Sequence, residues 1–304
     1  MTVLPQKRLS KNKTRLLHIS YTKVKLSSSL SLPGINICAK HGDMNMNDQF
    51  GRTELLLGNT ALQYFKSCRV AVFGIGGVGG YAAEAIARSG IGEIDLIDDD
   101  RVALSNINRQ IIAVHSTVGQ YKTDVMEKRL KDINPDIKIH NHKVFFNAET
   151  SKIFDFSLYD YVVDAIDSVS GKIEIIMQCD RTGTPVISSM GAGNKLNPAM
   201  FEVEDIYKTS VCPLARVMRS ELKKRGIKKL KVVYSKEKPI MPEKKVNASD
   251  DTLPTDRAKT GSYVKQAPGS CAFVPSAAGL IIAGEVIKDL AKKAGEGANN
   301  NADT

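Results

Sequence analysis

The hexapeptide GIGGVG (74–79) sits between an apolar run, RVAVF, and a small-residue run, YAAEAIARSG. Gly74, Gly76, Gly77 and Gly79 let a backbone turn tightly and approach a phosphate without Cβ clashes. A helix N-terminus behind them would offer unpaired N–H donors and partial positive charge, worth about 0.3–1 kcal/mol per anionic group. Asp98, at the end of the apolar run EIDLIDDD (93–100), can accept hydrogen bonds from ribose hydroxyls, and Asp100 stands beside it as a further candidate. A glycine loop with such an acid serves a dinucleotide-using dehydrogenase as readily as an ATP-using enzyme.

Three later features separate those chemistries. The segment SNINRQ (105–110) supplies Asn106, Arg109 and Gln110, Lys122 starts the next helical pattern, and Asp167 closes the run DYVVDAID. An Arg and a Lys converging on one nucleotide suit a triphosphate, whose charge must be offset during displacement. A carboxylate at a strand's carboxyl end suits Mg²⁺, a hard cation that takes few protein ligands and adds phosphate oxygens. Each residue alone has a plainer reading: a surface salt bridge for Arg109 or Lys122, a helix cap for Asp167. Their joint occurrence at successive strand ends is what points to ATP.

These residues need a frame to hold them. RVAVF and EIDLI read as strands, as do IKIHNHKVFF, DYVVDAID (160–167) and PVISSMG (185–191). A helix is expected over 119–132, after Gly119 and before Pro135, carrying Val125, Met126 and Leu130. Asn147 reads as the N-cap of another. The alternation predicts an α/β fold: a Rossmann-like, mostly parallel sheet with helices on both faces. Right-handed crossovers place the ligand site at the carboxyl ends of the strands. After Gly191 an antiparallel and helical portion follows: AMFEVEDIY as an antiparallel strand, Pro213 to Arg225 as a basic helix, KVVYS (231–235) as a strand, a loop-like 236–272, and an apolar helix from Ser276 to Lys292. The expected organisation is a disordered basic extension over 1–46, an ATP-binding domain over 47–200, a substrate-side portion of the same fold over 201–292, and a disordered tail over 293–304.

Charge is regional. The chain of 304 residues carries a net +10, with eight Lys/Arg and no acid in residues 1–42 and thirteen Lys/Arg against three acids in 208–246. The remainder is therefore net acidic. A nucleic acid would select such a basic cluster, and a solvated basic face is the plainer alternative. Cys38, Cys68, Cys179, Cys212 and Cys271 form no CxxC pair, which argues against a zinc ribbon or redox pair and suits a reducing compartment. Gln266 to Gly284 carries no charge, but Pro268 and Pro275 favour a loop running into a buried helix over membrane insertion. A cytoplasmic location is expected, with organelle targeting left open by the Ser- and Lys-rich N-terminus; Met44 and Met46 fit an upstream-extended start equally well.

GxGGxG, then LIDDDRVALSNINRQ, then Lys122, then DAIDS resemble, in order and spacing, the nucleotide site of the ThiF/MoeB family of ubiquitin-activating-type enzymes. The resemblance covers residues 50–200. It implies an enzyme that adenylates a carboxylate with ATP and Mg²⁺. The glycines would hold the phosphates, Asp98 the ribose, Asn106, Arg109, Gln110 and Lys122 the triphosphate, and Asp167 the metal. Arg52, in FGRTELLLG, aligns with an arginine that the family reaches across a homodimer interface. MGAGNKLNP (190–198), the basic helix after CPLA, VVYSKE (232–237) and GSCAFVPSAAG (269–279) resemble, within that family, the tRNA threonylcarbamoyladenosine dehydratases. That likeness implies a homodimer that activates the threonyl carboxylate of a modified adenosine in tRNA and lets it cyclise. The competing reading is a sulfur-carrier adenylyltransferase acting on the C-terminal glycine of a ubiquitin-like protein; many of those carry two CxxC zinc pairs that are missing here. A sulfur-relay protein partner stays open. A non-catalytic nucleotide-binding scaffold would not need Arg109, Lys122 and Asp167 together. Cys212 and Cys271 read as structural, not as thioester or persulfide sites.

Overall fold

Val70 and Val72 enter one core and Ala71 and Phe73 another, and all four are fully buried. A strand buried on both faces belongs in the middle of a sheet covered by two helical layers. The computed structural model describes residues 49–241 and 268–300. The extension expected over 1–46, most of the loop expected over 236–272, and residues 301–304 lie outside the described residues.

In chain order the strands are β1 (Arg69–Phe73), β2 (Glu93–Ile97), β3 (Lys138–His142), β4 (Tyr161–Asp164), β5 (Val186–Ser189), β6 (Phe201–Asp205) and β7 (Lys231–Ser235). They form one sheet in the order β3-β2-β1-β4-β5-β7-β6, parallel throughout except for the antiparallel pair β6 and β7. The chain steps outward from β1 to β3, then returns to β4 on the other side of β1. The carboxyl ends of β1 and β4 therefore flank the switch point, where an open α/β sheet leaves a ligand crevice.

The helices are α1 (Gly51–Ser67), α2 (Gly79–Arg88), α3 (Lys122–Ile133), α4 (Val169–Thr182), α5 (Pro213–Lys224) and α6 (Phe273–Asn300). Phe65, Ile86, Met126, Ile282 and Val286, from α1, α2, α3 and α6, cover Val70, Val72, Ile94 and Leu96. On the other face, Ile175 and Cys179 of α4 join Phe73, Phe146, Phe154 and Phe156, with the Phe73 and Phe156 rings stacked 5.6 Å apart. Met218 and Leu222 of α5 close over Val232 and Tyr234.

Four elements differ from expectation. The sequence gives no clear period for α1, which is kinked at Gly58 (φ +81°). α3 begins at Lys122, because Gly119 takes a left-handed turn conformation (φ +87°) ahead of it. The helix expected after Asn147 is a single 3₁₀ turn, Thr150–Ile153, whose N-cap is Glu149; Asn147 Oδ1 accepts from the Glu149 and Thr150 N–H groups in the turn ahead of it. α6 continues to Asn300, through residues expected to be tail. Among the described residues no helix is long and apolar enough to cross a membrane.

Candidate active site

Gly74 ends β1 with φ +90°, and a Cβ there would lie 2.8 Å from the Ala165 carbonyl oxygen just past β4. Gly79 opens α2, and a Cβ on it would lie 1.8 Å from Gly74 O. These two glycines are required by close approach of protein to protein. Gly76 is different: its nearest neighbour would be Gln110 Nε2 at 4.0 Å, so it borders open space. The N-cap of α2, Val78, supplies no side-chain acceptor, which leaves the helix start suited to an anion.

Asp98 fastens this loop. Its Oδ2 accepts from the Ile75 N–H at 2.7 Å and its Oδ1 from the Asp100 N–H at 2.9 Å. Burial pushes its carboxyl pKa up, against the opposing pull of Lys122. Lys122 is itself buried at the start of α3, with Nζ 2.8 Å from Asp100 Oδ2 and 3.7 Å from Asp98 Oδ1. The carboxylates of Asp98, Asp99 and Asp100 lie within 4.8 Å of one another, the one such acidic group among the described residues. Because Lys122 pairs with two of them, an ammonium already meets their charge.

Asn106 Oδ1 accepts from the Ala103 N–H at 3.1 Å and shapes the turn that presents Arg109. The Arg109 guanidinium donates to Ser105 O and Asn108 Oδ1, both at 2.9 Å, and pairs with no carboxylate among the described residues. Burial lowers its pKa. Gln110 is buried, and its Oε1 has no hydrogen-bond partner among the described residues. An unmet buried carboxamide costs about 1–3 kcal/mol, which a ligand or water at the loop would relieve.

Asp167 is exposed on the turn between β4 and α4. It is not the helix cap: Ser168 Oγ takes that place, accepting from the Gly171 N–H at 3.3 Å. β4 stops at Asp164, three residues short of the predicted strand end, so Asp167 lies on a loop. Arg52 stands exposed on the first turn of α1 and bonds to none of these residues.

The nucleotide-type loop, its acid and an arginine with no carboxylate partner among the described residues thus gather at the switch point of one sheet. The profile of the ThiF family matches residues 50–303. The chain belongs to the ThiF family. It is 47% identical over 249 residues to the tRNA threonylcarbamoyladenosine dehydratase of Bacillus subtilis, covering 81% of this chain and 96% of that protein. The Escherichia coli tRNA N6-threonylcarbamoyladenosine dehydratase TcdA, solved in complex with ATP, is similar with TM-score 0.69 at 34% identity, over 82% of this chain and 96% of that one. The Escherichia coli sulfur carrier protein ThiS adenylyltransferase is 34% identical over 148 residues, 47% of this chain and 59% of that protein.

In this ThiF-family chain the site also has a lid from the far end of the sequence. A Cβ on Gly77 would lie 3.3 Å from the Pro275 side chain, and Asn108 Nδ2 donates to Ser270 O at 3.0 Å. Gly279 lets α6 lie against the start of α2, since a Cβ there would come 2.3 Å from Val78 O. GSCAFVPSAAG was legible as a motif, but nothing in it said that it covers the phosphate loop. Cys212 is buried, and Cys271 Sγ lies 3.9 Å from Lys195 O. Among the described residues no cysteines group as a metal site.

Proposed function

We propose that this chain uses ATP to activate the threonyl carboxylate of threonylcarbamoyladenosine in tRNA, which then closes to the dehydrated ring. The observation that carries the reading is the near end-to-end likeness to a dehydratase of that name, in a chain whose switch-point site suits a triphosphate.

A carboxylate is a poor electrophile because its leaving group would be oxide. Attack of that carboxylate on the α-phosphate of ATP expels pyrophosphate and leaves an acyl-adenylate. The carbamoyl group of the same side chain then attacks the acyl carbon, and AMP departs with the carboxylate oxygen. The product is lighter by one water. Ring closure within one side chain proceeds at an effective molarity on the order of 10⁵ M or more, so no enzyme nucleophile is needed.

The glycine loop and the start of α2 hold the phosphates, and Asp98 the ribose. Asn106, Arg109, Gln110 and Lys122 surround the triphosphate. Asp167 offers an exposed hard oxygen at the switch point, the donor type Mg²⁺ takes together with phosphate oxygens. Bound there, Mg²⁺ would offset charge on the departing pyrophosphate. The decisive experiment incubates the protein with ATP, Mg²⁺ and tRNA bearing the modified nucleoside, followed by digestion and mass spectrometry. A nucleoside lighter by one water, formed only with ATP, supports the reading; an unchanged mass refutes it.

The tRNA face is α5 and the turn after it. Arg216, Lys223, Lys228 and Lys229 are exposed and make no ion pair among the described residues. Arg219 is tied instead to Thr209 O, at 3.0 Å. Replacing Arg216, Lys223 and Lys228 together by Ala should weaken tRNA binding and flatten the slope of log K against log salt by about two. Filter binding at several salt concentrations reads both quantities, and an unchanged slope removes the face from the interface.

The chain acts as a homodimer in which Arg52 enters the partner's site. Arg52→Ala and Arg109→Ala chains, each inactive alone, should regain about a quarter of wild-type activity when unfolded and reassembled together, since half the dimers then hold one intact site of two. No recovery in a mixture shown to exchange subunits would place Arg52 outside the neighbouring site.

A further inference from the structure

Beneath the site lies a charged group that none of these roles uses. Lys172 and Asp164 are 1% and 0% exposed, with Lys172 Nζ 3.1 Å from Asp164 Oδ1. Ser188 Oγ donates to Asp164 Oδ2 at 2.5 Å and lies 3.5 Å from Lys172 Nζ. Asp164 is the last residue of β4, Ser188 is its neighbour on β5, and Lys172 sits in the first turn of α4.

Stability does not account for this arrangement. A buried ion pair loses the hydration of both charges, and an uncharged pair of similar volume is often as stable or more so. A cation in a helix's first turn also opposes the positive end of the macrodipole. What the pair does touch is the turn 165–168. Asp164 Oδ1 also accepts from the Ile166 N–H at 3.4 Å, while the Ala165 N–H donates to Phe73 O at 2.9 Å. The Lys172 N–H donates to Ser168 O at 3.0 Å. The same turn places the Ala165 carbonyl against Gly74 and carries Asp167.

We propose that Lys172, Asp164 and Ser188 are positioning residues, which fix the turn between the phosphate loop and Asp167 and so set the Mg²⁺-dependent affinity for ATP. This rests on the assignment of Asp167 given above. Lys172→Met alone strands a buried carboxylate and should destabilise the fold. The informative variant is Asp164→Asn with Lys172→Met, which removes both charges and keeps an acceptor for Ser188.

Calorimetric titration with a non-hydrolysable ATP analogue, with and without Mg²⁺, reads the effect apart from turnover. The neutral pair should melt near wild type yet bind the analogue about tenfold more weakly with Mg²⁺, the size expected when support behind a metal ligand is lost. Without Mg²⁺ the affinity should stay nearly the same. Asp167→Asn should give a similar loss, and combining the changes should add little, because all act through one group. Wild-type affinity with Mg²⁺, or a fully additive loss, overturns the proposal. Should the neutral pair melt early, Ser188→Ala keeps both charges and is expected to weaken Mg²⁺-dependent binding two- to threefold; no change there overturns it equally. None of these readings needs tRNA, so a wild type that binds Mg²⁺ and ATP but leaves tRNA unchanged would sink the dehydratase reading alone.

Discussion

Arg109→Ala is expected to lower tRNA-dependent ATP–pyrophosphate exchange by about 10²- to 10³-fold while leaving the melting temperature close to wild type. The size of the effect follows from charge balance. Lys122 is already paired with Asp98 and Asp100, so part of its charge is met before a triphosphate arrives. Among the described residues Arg109 has only neutral partners, the Ser105 carbonyl and the Asn108 carboxamide, and its charge is partly desolvated. A cation held in place without a counter-ion interacts strongly with charge that develops during displacement, because nothing must reorganise to receive it. The same two hydrogen bonds are exposed and local, which is why their loss should cost the fold little. Arg109→Lys should recover only part of the rate, since one ammonium cannot reproduce the planar fork. Exchange above a tenth of wild type in the Ala variant would contradict this account.

The frame around Arg109 was largely legible because period and punctuation agree there. RVAVF and DYVVD are short, apolar and closed by small or acidic residues, and they form adjacent parallel strands with Val70 opposite Tyr161. AMFEVEDIY alternates, and it pairs antiparallel at the sheet edge. The residues of the loop, from Gly74 to Lys122, were readable because their spacing follows one strand–turn–helix unit after another. α1 escaped, since GRTELLLGNT has no helical period and Gly58 breaks the helix within it. The partnership of Lys172 with Asp164 also escaped. Eight residues separate them, and only the packing of α4 across β4 and β5 makes them neighbours. Nor does spacing reveal that Pro275 presses on Gly77, a contact between residues far apart in the chain. Local order is written in local sequence, whereas the lid and the buried pair exist only once the sheet has assembled.

Gly79→Ala is the second substitution with a large expected effect, and its mechanism differs from that of the arginine. The new Cβ would fall 1.8 Å from Gly74 O, a backbone atom that cannot swing aside as a flexible side chain does. Gly74 is itself held, because its N–H donates to Ile97 O at 2.8 Å and its Cα faces the Ala165 carbonyl. The clash must therefore be met by moving α2 away from the end of β1. Overpacking of this kind costs about 1–3 kcal/mol or more, and the motion also opens the cradle meant for the phosphates. Both the melting temperature and the affinity for ATP should fall, the latter by about a hundredfold, as nearly 3 kcal/mol of lost contacts implies. Gly76→Ala separates the two consequences. Its Cβ meets nothing nearer than Gln110 Nε2 at 4.0 Å, so the fold should melt as wild type. The methyl group would nevertheless stand in the space beside the loop and keep a phosphate from the backbone. Thermal melts with ATP titrations on both variants distinguish a glycine needed by the fold from one needed by the ligand. If Gly76→Ala bound ATP as tightly as wild type, the open side of the loop would not be where the phosphates lie.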